Sequence, residues 1–172
     1  MTHLHDDKIK FLEEKAIEIR KSIIEALVEA KSGHTAGPLG MADIFTAFYF
    51  HILKQDPKNP TWEDRDRVVL SNGHICPVLY AAMAHAGYFP VEEMKTLRKF
   101  GTRLQGHPHR EYLSMLETSS GPLGQGLSQA VGMAIVDRLD RGQNSNRTVY
   151  CFLGDGELNE GQVWEAAMLA GR

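Results

Sequence analysis

Two short apolar runs, "RVVLS" at 67–71 and "RTVYCFLG" at 147–154, set the limits on what this chain can fold into. Each is rich in β-branched or aromatic residues and is bounded by polar ones, so each reads as a buried strand. Around them, apolar residues recur at helical spacing. Ile9, Leu12, Ala16, Ile19, Ile23 and Leu27 line one face of a helix over 8–31, ended by Ser32-Gly33. Further helices are expected over 41–54, 75–87, 124–140 and 160–171, with a short one over 91–99 behind Pro90. Helices alternating with strands predict an α/β fold with a parallel sheet. Two strands are few for a stable sheet, so the pattern reads as part of a larger fold. The helix over 124–140 carries Gly126, Ala130, Gly132 and Ala134, small residues that allow a neighbour to approach closely.

A chain of 172 residues suggests one domain, able to bury roughly 70% of the surface it would expose unfolded. Its 42% hydrophobic and 24% charged residues read as soluble and globular. The formal charge of −3 argues against a general nucleic-acid surface. Cys76 and Cys151 lie far apart, without metal-ligand spacing, and read as two buried thiols in a reducing compartment. The N-terminus has no apolar signal core, and no apolar run is long enough to span a bilayer. A cytoplasmic protein with no membrane partner is expected.

The chemistry is expected in glycine-bearing turns. In open parallel sheets, ligands bind beyond the carboxyl ends of the strands. "SNGH" follows one strand and "GDG" the other, so both turns point to the same edge. Gly154 and Gly156 let the backbone turn sharply and approach a ligand. Asp155 between them could hold a hard cation that bridges to phosphate, or could simply cap the helix that follows. His34, His74 and His107 each sit in a glycine-bearing loop, where imidazole can exchange protons or bind an anion, or can merely be solvated. His3, His5, His51, His85 and His109 read as surface or helix-packing residues. "GPLGQGLSQA" is either a backbone wall against a flat ligand, with Leu123 as an apolar wedge, or a turn with Pro122 at the first helical turn. Glu160 could serve a site or complement a helix dipole.

In order along the chain stand "KSGHTAGPLGMADI", "DRDRVVLSNGH", "GHPH", "GPLGQGLSQAVGMAI" and "FLGDGELNEG". Together they closely resemble the N-terminal, diphosphate-binding domain of transketolases, from about the first helix to Arg172. The resemblance implies a thiamine-diphosphate-binding fold, its parallel sheet flanked by helices and incomplete at the C-terminal end. It makes 1–172 a single diphosphate-binding domain, short relative to the family. The cofactors it implies are thiamine diphosphate and Mg²⁺ (or Ca²⁺), with Asp155 as metal ligand. Gly154 and Gly156 then belong to the turn that meets the diphosphate, and His74 lies on the diphosphate side. Gly121, Pro122 and Leu123 match the wall beside the aminopyrimidine. His34 and His107 match histidines that contact substrate oxygens and assist proton transfer. Glu160 matches a glutamate in a carboxylate network that crosses the subunit interface. The implied activity is transfer of a two-carbon ketol unit from a ketose phosphate to an aldose phosphate in the pentose phosphate pathway.

This sequence departs from the family pattern in two places. The family loop begins SGHPG, whereas Thr35-Ala36-Gly37 follows His34 here. The family's second side-chain metal ligand is an asparagine well beyond GDG. Sixteen residues follow Gly156, and Asn159, the one asparagine among them, falls too early. The glutamate that activates the aminopyrimidine belongs to another domain. The expected partner is therefore a C-terminal subunit carrying the pyrimidine-binding domain, in a homo- or hetero-oligomer acting on sugar phosphates. Two alternatives remain: a truncated, catalytically silent module that pairs with a partner chain, or part of an enzyme like deoxyxylulose-phosphate synthase.

Overall fold

The helix expected over 8–31 runs Asp6–Ala30 (α1) in a computed structural model that describes residues 4–142 and 145–172. His3 lies outside the described residues. The chain divides into two units, Met1–Leu53 with Ile75–Gly106, and Lys54–His74 with His107–Arg172.

In the first unit, Asp6 and Asp7 open α1, where acidic side chains suit the helix dipole. Ala16, Ile19, Ile23 and Leu27 are buried, while Ile9, nearer the start of the same face, is exposed. Complete burial of Ile19 and Ile23 contributes about 1.5–3 kcal/mol each. The helix ends one step earlier than the sequence suggests. Lys31, not a glycine, takes the left-handed backbone at φ 53° and donates its N–H to Val28 O. Gly33 follows at φ 124°, where a Cβ would fall 2.6 Å from Leu27 Cδ2.

The stretch read as a loop, "SGHTAGPLG", contains a short helix, Ala36–Gly40 (α2), with Pro38 buried. The reason is packing rather than propensity. A Cβ at Gly37 would stand 2.7 Å from Ile75 Cγ2, so glycine lets this turn close onto its neighbour. Ala42–Ala47 (α3) then continues into a π-helical turn, Phe48–Ile52. Cys76–Ala86 (α4) is buried from Cys76 through Ala84, apolar on every side, and ends at Gly87 with φ 97°. His85, in its last turn, is partly buried, with Nε2 2.9 Å from Ser22 Oγ and Nδ1 3.5 Å from Glu18. The segment behind Pro90 is a 3₁₀ helix, Val91–Thr96. Tyr80 donates its hydroxyl to Gln105 O at 3.0 Å, and the Cys76 thiol reaches Gly106 O at 3.2 Å.

The second unit holds both strands, Arg67–Leu70 (β1) and Val149–Phe152 (β2). They pair in parallel, Arg67 opposite Val149 and Leu70 opposite Phe152. Gln125–Arg141 (α5) packs on both strands and on Gly161–Ala170 (α6). At the amino end of the pair, the buried Asp66 carboxylate accepts N–H bonds from Lys54 at 2.9 Å and Thr148 at 2.8 Å, stitching the two strand entries together. Ion pairs Arg65–Glu117, Arg141–Asp64 and Arg147–Asp137 gather at that end.

The small residues of α5 divide into two groups. Gly126 and Ala130 are buried, whereas Gly132 meets open space and Ala134 is exposed. Pro122 lies ahead of the helix rather than in its first turn, because Gly124 breaks the backbone at φ 83°. Cys151 is only half buried. With Leu127, Val131, Ile135, Val149 and Leu169 it lines an open apolar groove of about 730 Å³. Among the described residues, no helix is long and apolar enough to cross a membrane.

Burial pushes the Cys76 thiol up from 9.0 to about 12. Above pH 9 the unfolded chain releases this proton while the folded chain keeps it. The folded state then binds more protons, so stability falls as pH rises from about 9 to 12, by about 1.4 kcal/mol per pH unit for one such thiol. Urea unfolding between pH 8.5 and 10.5 should show this decline, and Cys76→Ala should make it shallower.

Candidate functional site

Because β1 and β2 run in parallel and in register, the turns that follow them emerge side by side. Ser71 N–H bonds Phe152 O at 2.9 Å, extending the ladder one residue past β1. Beyond it come Asn72, Gly73 and His74, and beyond β2 come Gly154, Asp155 and Gly156. The two turns touch: a Cβ on Gly154 would lie 3.5 Å from Asn72 Cβ. The sequence expectation that SNGH and GDG share one edge is met within this unit.

Two further loops close on the same rim. A Cβ at Gly73 would stand 2.7 Å from Ser120 Cβ and 3.2 Å from His107 Cδ2, so glycine lets the GHPH loop sit directly against the residue before His74. Ser120 donates its hydroxyl to Leu70 O, and its N–H bonds Pro108 O at 3.0 Å. Gly121, Pro122 and Leu123 therefore span a short bridge tethered at Ser120 and at Gly124. Pro122 is exposed and Leu123 is 41% exposed. At the far end, Gly124 has left-handed backbone, and a Cβ there would lie 3.0 Å from Glu160 Cβ.

A residue that the sequence reading passed over holds these loops together. Glu157, in the 3₁₀ turn Gly156–Asn159, is 2% exposed. Its carboxylate accepts the Ser71 hydroxyl, Gly124 N–H at 2.6 Å and Gly154 N–H at 2.9 Å. Ser71 Oγ in turn accepts Gly126 N–H at 3.0 Å. Nothing in "GDGELNEG" marks Glu157 as the buried acid. A four-residue turn has no periodicity, and its neighbour Leu158 is the more exposed of the two.

The site residues separate by environment. Asp155 is exposed and makes no capping bond to the turn it precedes, which removes the capping explanation for it. Gly156 has open space where a side chain would stand. Glu160 is exposed at the N-cap of α6 and also makes no capping bond. His74 is half buried and His107 exposed in this same unit. His34 belongs to the first unit, exposed in the turn between α1 and α2. His109, read as surface or packing, is half buried, and its Nδ1 has no partner. Asn72 is buried, 5% exposed, and its side-chain oxygen is unpartnered beside the GDG turn.

Among the described residues, no three His, Cys, Asp or Glu side chains are grouped to hold a metal ion. The rim offers an exposed carboxylate at Asp155 with open space beside it at Gly156. A carboxylate of this kind can join a hard cation that draws its remaining ligands from a phosphate group and water.

Residues 12–172 match the family described as the transketolase, thiamine diphosphate binding domain. The chain belongs to this family. It is 46% identical over 160 residues to the 6-deoxy-6-sulfo-D-fructose transketolase subunit SqwG of Clostridium sp. (strain MSTE9), covering 93% of this chain and 57% of that protein. It is 42% identical over 166 residues to transketolase 1 of Escherichia coli (strain K12), covering 92% of this chain and 25% of that one. Among solved structures, transketolase from Leishmania mexicana superposes with a TM-score of 0.88 at 37% identity, covering 98% of this chain and 26% of that one. The chain thus spans about a quarter of the Escherichia and Leishmania transketolases and just over half of the clostridial subunit. In this transketolase domain, the two-stranded parallel pair and its flanking helices are consistent with an incomplete α/β thiamine-diphosphate-binding fold.

The glycines of the rim should not be interchangeable. A Cβ at Gly126 would meet Ser71 Cβ at 2.4 Å and its Cα at 2.6 Å, a clash with backbone that cannot rotate away. Gly126→Ala should cost about 1–3 kcal/mol or more. Gly132→Ala, in open space on the same helix, should gain about 0.5–1 kcal/mol. Denaturant midpoints of the two variants measure the contrast.

Proposed function

We propose that residues 1–172 form the diphosphate-binding domain of a transketolase, acting with a pyrimidine-binding domain carried by a C-terminal partner subunit or by further chain. The clostridial relative named as a transketolase subunit, of which this chain covers 57% against 25% of the Escherichia transketolase, supports the two-subunit form. The observation that carries the reading is Asp155, an outward carboxylate between two glycines on the rim of the parallel pair and without a capping bond.

In this reading Asp155 would hold Mg²⁺, a charge that would offset the repulsion between its carboxylate and a diphosphate. Gly154 and Gly156 leave backbone accessible to the diphosphate, and His74 donates to it from the neighbouring turn. Gly121, Pro122 and Leu123 present an apolar wall to the aminopyrimidine and keep water from that face. The chemistry thiamine diphosphate supplies when bound is a nucleophilic carbon for transfer of a two-carbon ketol unit between sugars. His34 and His107 bind substrate hydroxyl and carbonyl oxygens and hold a proton where an oxygen gains negative charge, the role in which a positioned donor lowers a barrier most. Glu160 reaches a carboxylate network at a subunit interface. The substrates are a ketose phosphate and an aldose phosphate, and the setting is cytoplasmic.

Titration of the complete enzyme with thiamine diphosphate and Mg²⁺ tests this. Wild-type protein should bind only with the metal present, and EDTA should abolish binding. Asp155→Asn, which keeps the size and removes the charge, should weaken binding on the order of 100-fold and flatten its Mg²⁺ dependence. Equal affinity in wild type and Asp155→Asn would rule out this assignment.

A further inference from the structure

The Asp155 carbonyl accepts Leu158 N–H at 3.2 Å, but its side chain makes no capping bond that would aim it. Its neighbour Gly154, however, is tied through N–H to Glu157 at 2.9 Å. The same carboxylate takes the N–H of Gly124, which ends the Gly121–Leu123 bridge, and the hydroxyl of Ser71, which begins the SNGH turn. One buried anion thus touches the three turns of this unit that carry the metal ligand, the apolar wall and His74. The Ser71 hydroxyl extends the connection to Gly126 N–H at the start of α5.

From this geometry we infer that Glu157 is a positioning residue, whose carboxylate sets the mutual spacing of the GDG, GPLGQG and SNGH turns and so controls affinity for the Mg²⁺–diphosphate group. The inference rests on the thiamine-diphosphate reading and deepens it. The number of donors meeting the carboxylate decides which side chain can stand there. All three partners are donors, two of them main-chain N–H groups that cannot reverse role. Only a group with acceptors on both oxygens satisfies them together. A glutamine of the same shape offers one oxygen and turns an NH₂ against an N–H. At least one turn must then move away or lose its bond, and a buried unpaired donor is costly. Glu157 Oε1 takes two of the donors and Oε2 takes only Gly154 N–H, so an amide NH₂ is accommodated at the expense of the GDG turn. Displacement of Gly154 displaces its neighbour Asp155.

The test compares three variants in the complete enzyme with its pyrimidine-domain partner, by calorimetric titration with thiamine diphosphate at fixed Mg²⁺ and by thermal unfolding without cofactor. Glu157→Gln should raise the cofactor Kd at least about tenfold, the range seen when supports of a ligand are removed. Adding Ser71→Ala to Glu157→Gln should cost less than the two separate losses combined, because the two groups share one bond. A purely structural role would lower the unfolding temperature and leave the Kd of folded protein unchanged, and that result overturns the inference. Should Glu157→Gln fail to fold, Ser71→Ala alone decides. It removes one donor of three and should raise the Kd, and an unchanged Kd overturns the inference. Asp155→Asn is the control that separates the two claims. If wild type binds and Asp155→Asn does not, but Glu157→Gln binds normally, the positioning role fails and the cofactor reading stands. If Asp155→Asn binds like wild type, the cofactor reading itself fails.

Discussion

A carboxylate taken out of water must be bonded on both oxygens or it costs several kcal/mol. Glu157 meets this condition by drawing donors from three stretches far apart in sequence, Ser71, Gly124 and Gly154. Removing any one donor leaves the others to carry a buried charge. Three loops from distant parts of the chain are thereby held to one point. The arrangement of the rim, and everything proposed to bind there, depends on this bond set.

A second buried carboxylate does the matching work at the opposite end of the strands. Asp66 joins the entry of β1 to that of β2 through Lys54 and Thr148 N–H groups. A two-stranded parallel pair is marginal by itself, since each strand leaves an edge without partners. Here the pair is clamped at each end by an acid that satisfies main-chain donors the short ladder leaves over. Between the clamps, α5 covers both strands, approaching so closely at Gly126 that any side chain there would strike Ser71. The groove beside Cys151 and Val149 is where this covering stops.

Much of this was visible in the residues. The strands at 67–71 and 147–154 were legible because β-branched and aromatic residues cluster between polar boundaries, and the helix of Ile19 and Ile23 because its spacing repeats over many turns. The shared edge of SNGH and GDG followed from parallel pairing alone. Other features escaped for definite reasons. The helix Ala36–Gly40 carries Gly37, Pro38 and Gly40, a composition that reads as a loop, and it forms where Gly37 allows close contact with Ile75. α4, by contrast, was expected over 75–87 even though burial on every side leaves it without amphipathic periodicity. Gly132 and Ala134 matched the small-residue pattern of Gly126 and Ala130, yet they face open space or solvent, since a helix face is chosen by what lies opposite.

The sequence by itself determined the α/β alternation, the order of glycine-bearing turns and the transketolase-domain motifs they spell, because these depend on local period and on residue type. It also placed Asp155 between two glycines, which leaves the backbone free to present it. Only the tertiary structure decided that Glu157, rather than its neighbours, is the buried acid, and that Asp155 is not a helix cap. Burial and bonding of a single side chain in a short turn are set by donors arriving from distant segments, and no local pattern encodes where those donors will be.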